Sequence, residues 1–147
     1  MTSGYKVGLS LRIIRDARLL TESWFELIRA MIAIRLHPSL VASDRHIPVG
    51  RRPLASPSVD EVCLWVARAA AHHIKRVTCL ERAVAAQRML RRRGFPADLH
   101  IGVRPVPPGF EAHAWLTLDG RSLDPQSDAF TAMKRLSAAQ RNGEQNG

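Results

Sequence analysis

Two residues in this chain have the types needed for nucleophilic chemistry together: Cys79, in Thr78-Cys79-Leu80-Glu81, and His113, in Ala112-His113-Ala114-Trp115. Cysteine attacks as its thiolate, and an imidazole within reach is the ordinary base for its proton. Thr78 with Glu81 three residues on has the pattern of a capping box, in which the hydroxyl accepts from an amide at a helix start and the carboxylate reaches back. Cys79 then falls on the first helical position, where free amides and the positive end of the macrodipole favour a thiolate.

The histidine needs a third group to fix its tautomer. Phe110 to Leu118 has the aromatic and β-branched character of a strand, Asp119-Gly120 is a two-residue hairpin turn, and Arg121-Ser122-Leu123-Asp124 returns as a second strand. With that turn, Leu118 pairs with Arg121, Leu116 with Leu123 and Trp115 with Asp124. Strand residues two apart share a face, so His113, Trp115 and Asp124 point the same way, with Asp124 diagonal to His113. Asp124 is therefore the expected acid, and Asp119, at the hairpin tip, stands second. Trp115 reads equally as a substrate-binding wall that shields the imidazole and as plain core packing.

Four blocks, in order, carry a resemblance: Cys79-Leu80-Glu81-Arg82-Ala83, Arg91-Arg92-Arg93-Gly94-Phe95, Leu99-His100-Ile101-Gly102-Val103 and Ala112 through Gly120. Together they resemble the transglutaminase-like B proteins of lasso-peptide biosynthesis, which in their split form are free-standing leader peptidases. The resemblance implies an α+β fold with a transglutaminase-like or papain-like cysteine protease core, a nucleophile helix packed on a small antiparallel sheet, here with an N-terminal helical extension. It also implies a cysteine peptidase without cofactor that removes the leader from a ribosomally made precursor through an acyl-enzyme. Cys79 would be the nucleophile, His113 the base and Asp124 the acid. The implied partners are the precursor's leader peptide, a separate leader-binding protein and an ATP-dependent macrolactam cyclase resembling asparagine synthetase. The same acyl-enzyme chemistry also allows transfer to an amine.

The chain of 147 residues is expected to form one domain whose core needs no disulfide staples. Its 22 Lys and Arg against 13 Asp and Glu, a net +9, suit an acidic peptide or protein, an anionic lipid surface or nucleic acid. Aromatic residues are few and not interleaved with the arginines, which argues against a base-stacking surface and against nucleic acid. Arg91-Arg92-Arg93 closes a helix before Gly94, where cations complement the dipole. From a different class, the alternative is a non-catalytic basic module that binds an acidic peptide or partner. Cys63 reads as a small core residue. Cys and His pairs at metal-ligand spacing and a Gly-rich phosphate loop are both missing from the sequence, so neither metal nor nucleotide dependence is expected.

Residues 1–57 are expected to form an amphipathic helix and linker, 58–136 the peptidase core, and 137–147 a disordered tail. The first helix runs from Leu11 to about Leu36, either unbroken or divided in two at Thr21 to Ser23, and turns Ile13, Ala17, Leu20, Trp24, Leu27 or Ile28, Met31 and Ile34 inward, with Glu22 and Glu26 on other faces. Its basic, amphipathic character suits packing on the domain or a peripheral membrane contact. Arg29 and Arg35 interrupt any spanning stretch and no secretory signal is recognisable, so a cytoplasmic protein is expected, a compartment that also suits a working thiol. A second helix opens at Ser56 to Glu61 and buries Val59, Val62, Cys63, Val66, Ala70 and Ile74. The nucleophile helix runs to Arg93, and Leu99 to Val103 is a strand in which Gly102 marks a bulge or close packing. Pro105 to Gly109 is a surface loop and Asp128 to Leu136 a last short helix.

Overall fold

The computed structural model describes residues 3–37, 48–53 and 56–133, with side chains from residue 11 onward. Helix α1 spans Ser3–Leu36, α2 Val59–Ala71 and α3 Cys79–Arg92. Strands β1 (Asp98–Val106), β2 (Gly109–Leu118), β3 (Arg121–Ser122) and β4 (Thr131–Ala132) follow, with a 3-10 turn at Pro125–Ala129 between the last two. The four strands form one antiparallel sheet in the order β3-β2-β1-β4. The expected tail at 137–147 lies outside the described residues, as does most of the linker.

Helix α3 is the hub: it packs on α1 and α2 on one side and on β1 and β2 on the other. Leu27 and Ala30 of α1, Val62, Val66 and Ala69 of α2, and Met89 and Leu90 of α3 share one core with Leu99, Ala114 and Leu116 of the sheet. Each large aliphatic side chain fully withdrawn from water there contributes about 1.5–3 kcal/mol. Both short helices are closed by the same device. Ser58 with Glu61, and Thr78 with Glu81, form complete capping boxes, so the first-turn amides have partners before tertiary packing begins.

Helix α1 differs from its sequence expectation in three ways. It begins at Ser3 rather than Leu11, and it does not break at Thr21 to Ser23. Both hydroxyls there bond back to the carbonyl four residues earlier, Thr21 Oγ1 to Ala17 at 2.8 Å and Ser23 Oγ to Leu19 at 2.7 Å, so they sit within the helix. The buried face is also rotated: Leu19, Ser23, Glu26, Leu27, Ala30 and Met31 point inward, while Ile13 and Leu20 are exposed. The reason is electrostatic. Arg92 of α3 donates to Glu26 Oε1 at 2.9 Å and to Glu22 Oε1 at 3.0 Å, and Arg93 pairs with both oxygens of Glu22. Two acids expected on outer faces thus bind the arginines that end α3, and those arginines serve the fold as well as the helix dipole. Burial opposes the charge of Glu22, but the hydrogen bonds from Arg93 and Arg92 outweigh it and hold its carboxyl below the usual range.

In α2, Val62, Val66 and Ala69 are buried as an inward stripe requires, but the helix ends at Ala71, so Ile74 lies beyond it and is 87% exposed. Pro105 to Gly109 is not a loop. β1 runs on to Val106, β2 starts at Gly109, and Pro107-Pro108, joined by a cis peptide bond, occupies the two turn positions. The pairing partner of Pro105 is Phe110, and β4 covers β1 only at Gly102 and Val103, so the missing proline N–H costs no ladder bond on the other edge. The expected helix at 128–136 is likewise corrected over the residues described: the 3-10 turn ends at Ala129 and residues 131–132 return to the sheet as β4, while 134–136 lie outside the described residues.

The candidate active site

Thr78 adopts extended backbone, its Oγ1 accepts from the Glu81 amide at 3.2 Å, and its own amide donates to Glu81 Oε2 at 2.7 Å. Cys79 is therefore the first residue of α3, half-buried, with a free thiol. The cap uses the amides of Thr78 and Glu81 and leaves those of Cys79 and Leu80 outside it.

His113 lies in the middle of β2, directly opposite Gly102 of β1. Ala114 and Leu116, which alternate with it, belong to the core shared with the helices, so His113 and Trp115 occupy the other face of the strand. The hairpin has the expected register: Leu118 pairs with Arg121 and Thr117 with Ser122, and the Leu123 amide donates to the Leu116 carbonyl at 2.9 Å. That places Asp124 beside His113. Its Oδ2 is 2.9 Å from Nε2 of the imidazole, while Oδ1 accepts from the Gln126 amide at 2.9 Å and caps the 3-10 turn. Ser122 Oγ accepts from the Asp124 amide at 3.1 Å, so the acid is fixed at both ends of the residue. Burial works against its charge. The Gln126 amide, His113 and the nearby Arg82 outweigh that cost and hold the Asp124 carboxyl below the ordinary carboxylate range. Asp119 sits at the hairpin tip with φ of 51°, exposed and in the left-handed region that the turn needs.

An ionised Asp124 accepts only, so Nε2 of a neutral imidazole carries the proton and Nδ1 presents its lone pair. Nδ1 is thus the atom able to take a proton from an incoming thiol. Among the described residues, the Cys79 thiol and the His113 ring are not hydrogen-bonded to each other. Catalytic hydrogen bonds are often long before substrate binds. Helix α3 nevertheless packs on β2, and Arg82, one turn along from Cys79, exerts its charge on Asp124. The start of α3 and the acid end of the hairpin are therefore neighbours.

Three residues at the site were given no role by the sequence, although His100 stands in one of the ordered blocks. Phe130 covers the imidazole with ring centroids 4.9 Å apart, and the Arg104 guanidinium lies 4.9 Å from the centre of the Phe130 ring. His100 stacks on Trp115 at 5.8 Å, and Trp115 stacks on His113 at 6.1 Å. The result is a row of rings, His100, Trp115, His113 and Phe130, that fixes the plane of the imidazole. Gly102 makes room for it. A Cβ there would lie 2.7 Å from Trp115 Cη2 and 2.7 Å from the Thr131 carbonyl oxygen, so the glycine marks close packing and not a bulge. Beside Trp115 and Asp124, a cavity of about 260 Å³ opens between α2, α3 and the hairpin.

Among the described residues no three His, Cys, Asp or Glu side chains gather as a metal site would require, and no helix is long and apolar enough to cross a membrane. No curated protein and no solved structure matches the chain. The sequence pattern of the Transglutaminase-like superfamily does match, over residues 24–137, a span that takes in the C-terminal part of α1, both capped helices and the whole sheet. With that match over most of its length and an α+β fold in which a capped cysteine helix packs on a small antiparallel sheet, the chain belongs to the Transglutaminase-like superfamily.

Proposed function

We propose that this protein is a cysteine peptidase that removes the leader from a ribosomally made lasso-peptide precursor. The observation that carries the catalytic part is the 2.9 Å contact between Asp124 Oδ2 and His113 Nε2, in a superfamily domain whose one helix-initial cysteine is Cys79. The lasso-peptide part rests on the ordered sequence blocks from Cys79 to Gly120.

In this reading His113 Nδ1 takes the Cys79 proton and the thiolate adds to the scissile carbonyl carbon. The amide of Cys79, at the start of α3, donates to the oxyanion that forms. Asp124 stabilises the transient imidazolium through Nε2. The Nδ1 proton then passes to the leaving amine, the C–N bond breaks and a thioester remains on Cys79. Water, giving its proton to Nδ1, attacks that thioester, and collapse of the second tetrahedral adduct frees the acid and returns the thiol. The precursor's leader, a separate leader-binding protein and a macrolactam cyclase are the partners this function requires.

The test is mass spectrometry of a precursor peptide incubated with this protein and its leader-binding companion. Release of the leader at one bond by the wild type, abolished in Cys79→Ala and in His113→Ala, supports the proposal. Leader binding that survives in both variants with no cleavage by the wild type identifies a binding module instead.

A further inference from the structure

Helix α1 carries apolar side chains on two faces, and the core uses one of them. Leu19, Ser23, Leu27 and Ala30 are buried. Phe25 stands two residues from both Ser23 and Leu27, and Ile32 two residues from Ala30, about 200° round the helix, so both point away from the core. Leu11, Ile14, Phe25, Ile32 and Leu36 lie three, eleven, seven and four residues apart, all helical repeats, and form one outward row about 37 Å long. Each is between 52% and 67% exposed. A continuous apolar row left in water marks an interaction surface.

The charges beside the row say what it meets. Arg18 and Arg29 stand on one flank and Arg35 on the other, all exposed. From residue 11 onward no acid of α1 is exposed in the same way: Glu26 is buried against Arg92, Glu22 is held by Arg92 and Arg93, and Asp16 is half-buried with Arg15 3.8 Å away. The outward face is therefore apolar along its middle and positive along its sides. A second copy of the same face would set arginine against arginine. A phospholipid surface needs no matching groove: it takes the apolar row into the acyl boundary and sets anionic headgroups beside the cations. Arginine suits that surface, because its guanidinium binds phosphate through two parallel hydrogen bonds.

We propose that α1 docks this protein on an anionic phospholipid surface, lying in the plane of the interface with Phe25 and Ile32 in the acyl boundary and Arg18, Arg29 and Arg35 among the phosphates. Among the described residues no helix is long and apolar enough to cross a membrane, so α1 lies along the surface and not through it. Helix α3 stands between α1 and the sheet, which leaves the His113 hairpin on the aqueous side. Docking uses no residue of the candidate active site and stands or falls independently of the peptidase reading.

The test is co-sedimentation of the full chain with vesicles of phosphatidylcholine alone and of phosphatidylcholine mixed with phosphatidylglycerol, at low and at high salt. The wild type is expected to bind the mixed vesicles at least about tenfold more tightly than the neutral ones, and salt to weaken that binding. Phe25→Ser combined with Ile32→Ser should weaken it by about 10- to 100-fold, and Arg18→Gln and Arg35→Gln by about fivefold each. All four positions are exposed, and circular dichroism checks that each variant is folded. The arginine variants keep the test decisive if the apolar double variant fails to fold. Equal sedimentation with the two vesicle types, none with either, or binding that a folded set of substitutions leaves unchanged overturns the proposal. So does a dimer, seen by light scattering without lipid, that Phe25→Ser with Ile32→Ser dissolves, because the row would then be an interface between copies of this chain.

Discussion

Asp124 divides two duties between two oxygens, which makes its substitution unusually informative. Oδ2 holds His113 Nε2 at 2.9 Å and Oδ1 caps the 3-10 turn through the Gln126 amide at 2.9 Å. Asn keeps a capping oxygen and removes the charge. Ala removes both. A hydrogen bond to a charged partner contributes about 1.5–3 kcal/mol, and in Asp124→Asn this is lost chiefly when the imidazolium forms. The expected fall in kcat/KM is thus about 10- to 150-fold at 25 °C, and the thermal midpoint falls only by what the carboxylate's charge contributes to stability. Asp124→Ala should lose at least as much activity and, with the cap gone, a further ~1 kcal/mol of stability, about 3 °C in midpoint. The assay is precursor cleavage followed by mass spectrometry, with scanning calorimetry on the same samples. Asp119→Asn is the control, because Asn tolerates the positive φ of that exposed turn. The reasoning is refuted if Asp119→Asn loses as much activity as Asp124→Asn, or if Asp124→Asn cleaves at the wild-type rate.

Other consequences follow from the same contacts. The folded pKa of Asp124 lies below its ordinary value of 3.8, so its stabilising contribution is complete above that value and lost as pH falls through the folded one; acid titration of the midpoint should show wild type and Asp124→Asn separated above 3.8 and drawing together only as pH falls below it. Gly102→Ala places a methyl 2.7 Å from both Trp115 and the Thr131 carbonyl oxygen; it should cost about 1–3 kcal/mol and change the Trp115 fluorescence, and an unaltered emission spectrum would argue against the ring row. Arg92→Ala strips the 2.9 Å partner from Glu26, which is buried, and should cost about 3 kcal/mol, or roughly 10 °C in midpoint, read by calorimetry; a change under 2 °C would show that Arg29, 3.7 Å away, suffices.

Much of the site was legible because it depends on short-range rules. The capping box at Thr78 and Glu81 is a three-residue pattern, and it put Cys79 at the first position of α3. The Asp119-Gly120 turn fixed a register, and period-two alternation then brought Asp124 to His113. What could not be read depends on partners far along the chain. Glu26 is inside because Arg92 meets it there, and Ser23 because its hydroxyl is satisfied by Leu19, so the buried face of α1 does not follow its apolar periodicity. Phe130 reaches the imidazole only because β4 pairs across β1 at Gly102 and Val103, a closure no local pattern announces. The turn at Pro107-Pro108 reads as a loop from its composition, since prolines that carry a strand to its last residue look like prolines that end it.

The central claim is that Cys79 forms the acyl-enzyme with His113 as its base. It is tested most directly by acid-quenching a reaction of the protein with precursor peptide and its leader-binding companion within seconds, then mapping thioester adducts by mass spectrometry. The account predicts a leader-derived acyl mass on the peptide containing Cys79, absent from Cys79→Ala and strongly reduced in His113→Ala. Cleavage that proceeds without an adduct at Cys79, or that persists in Cys79→Ala, would contradict it.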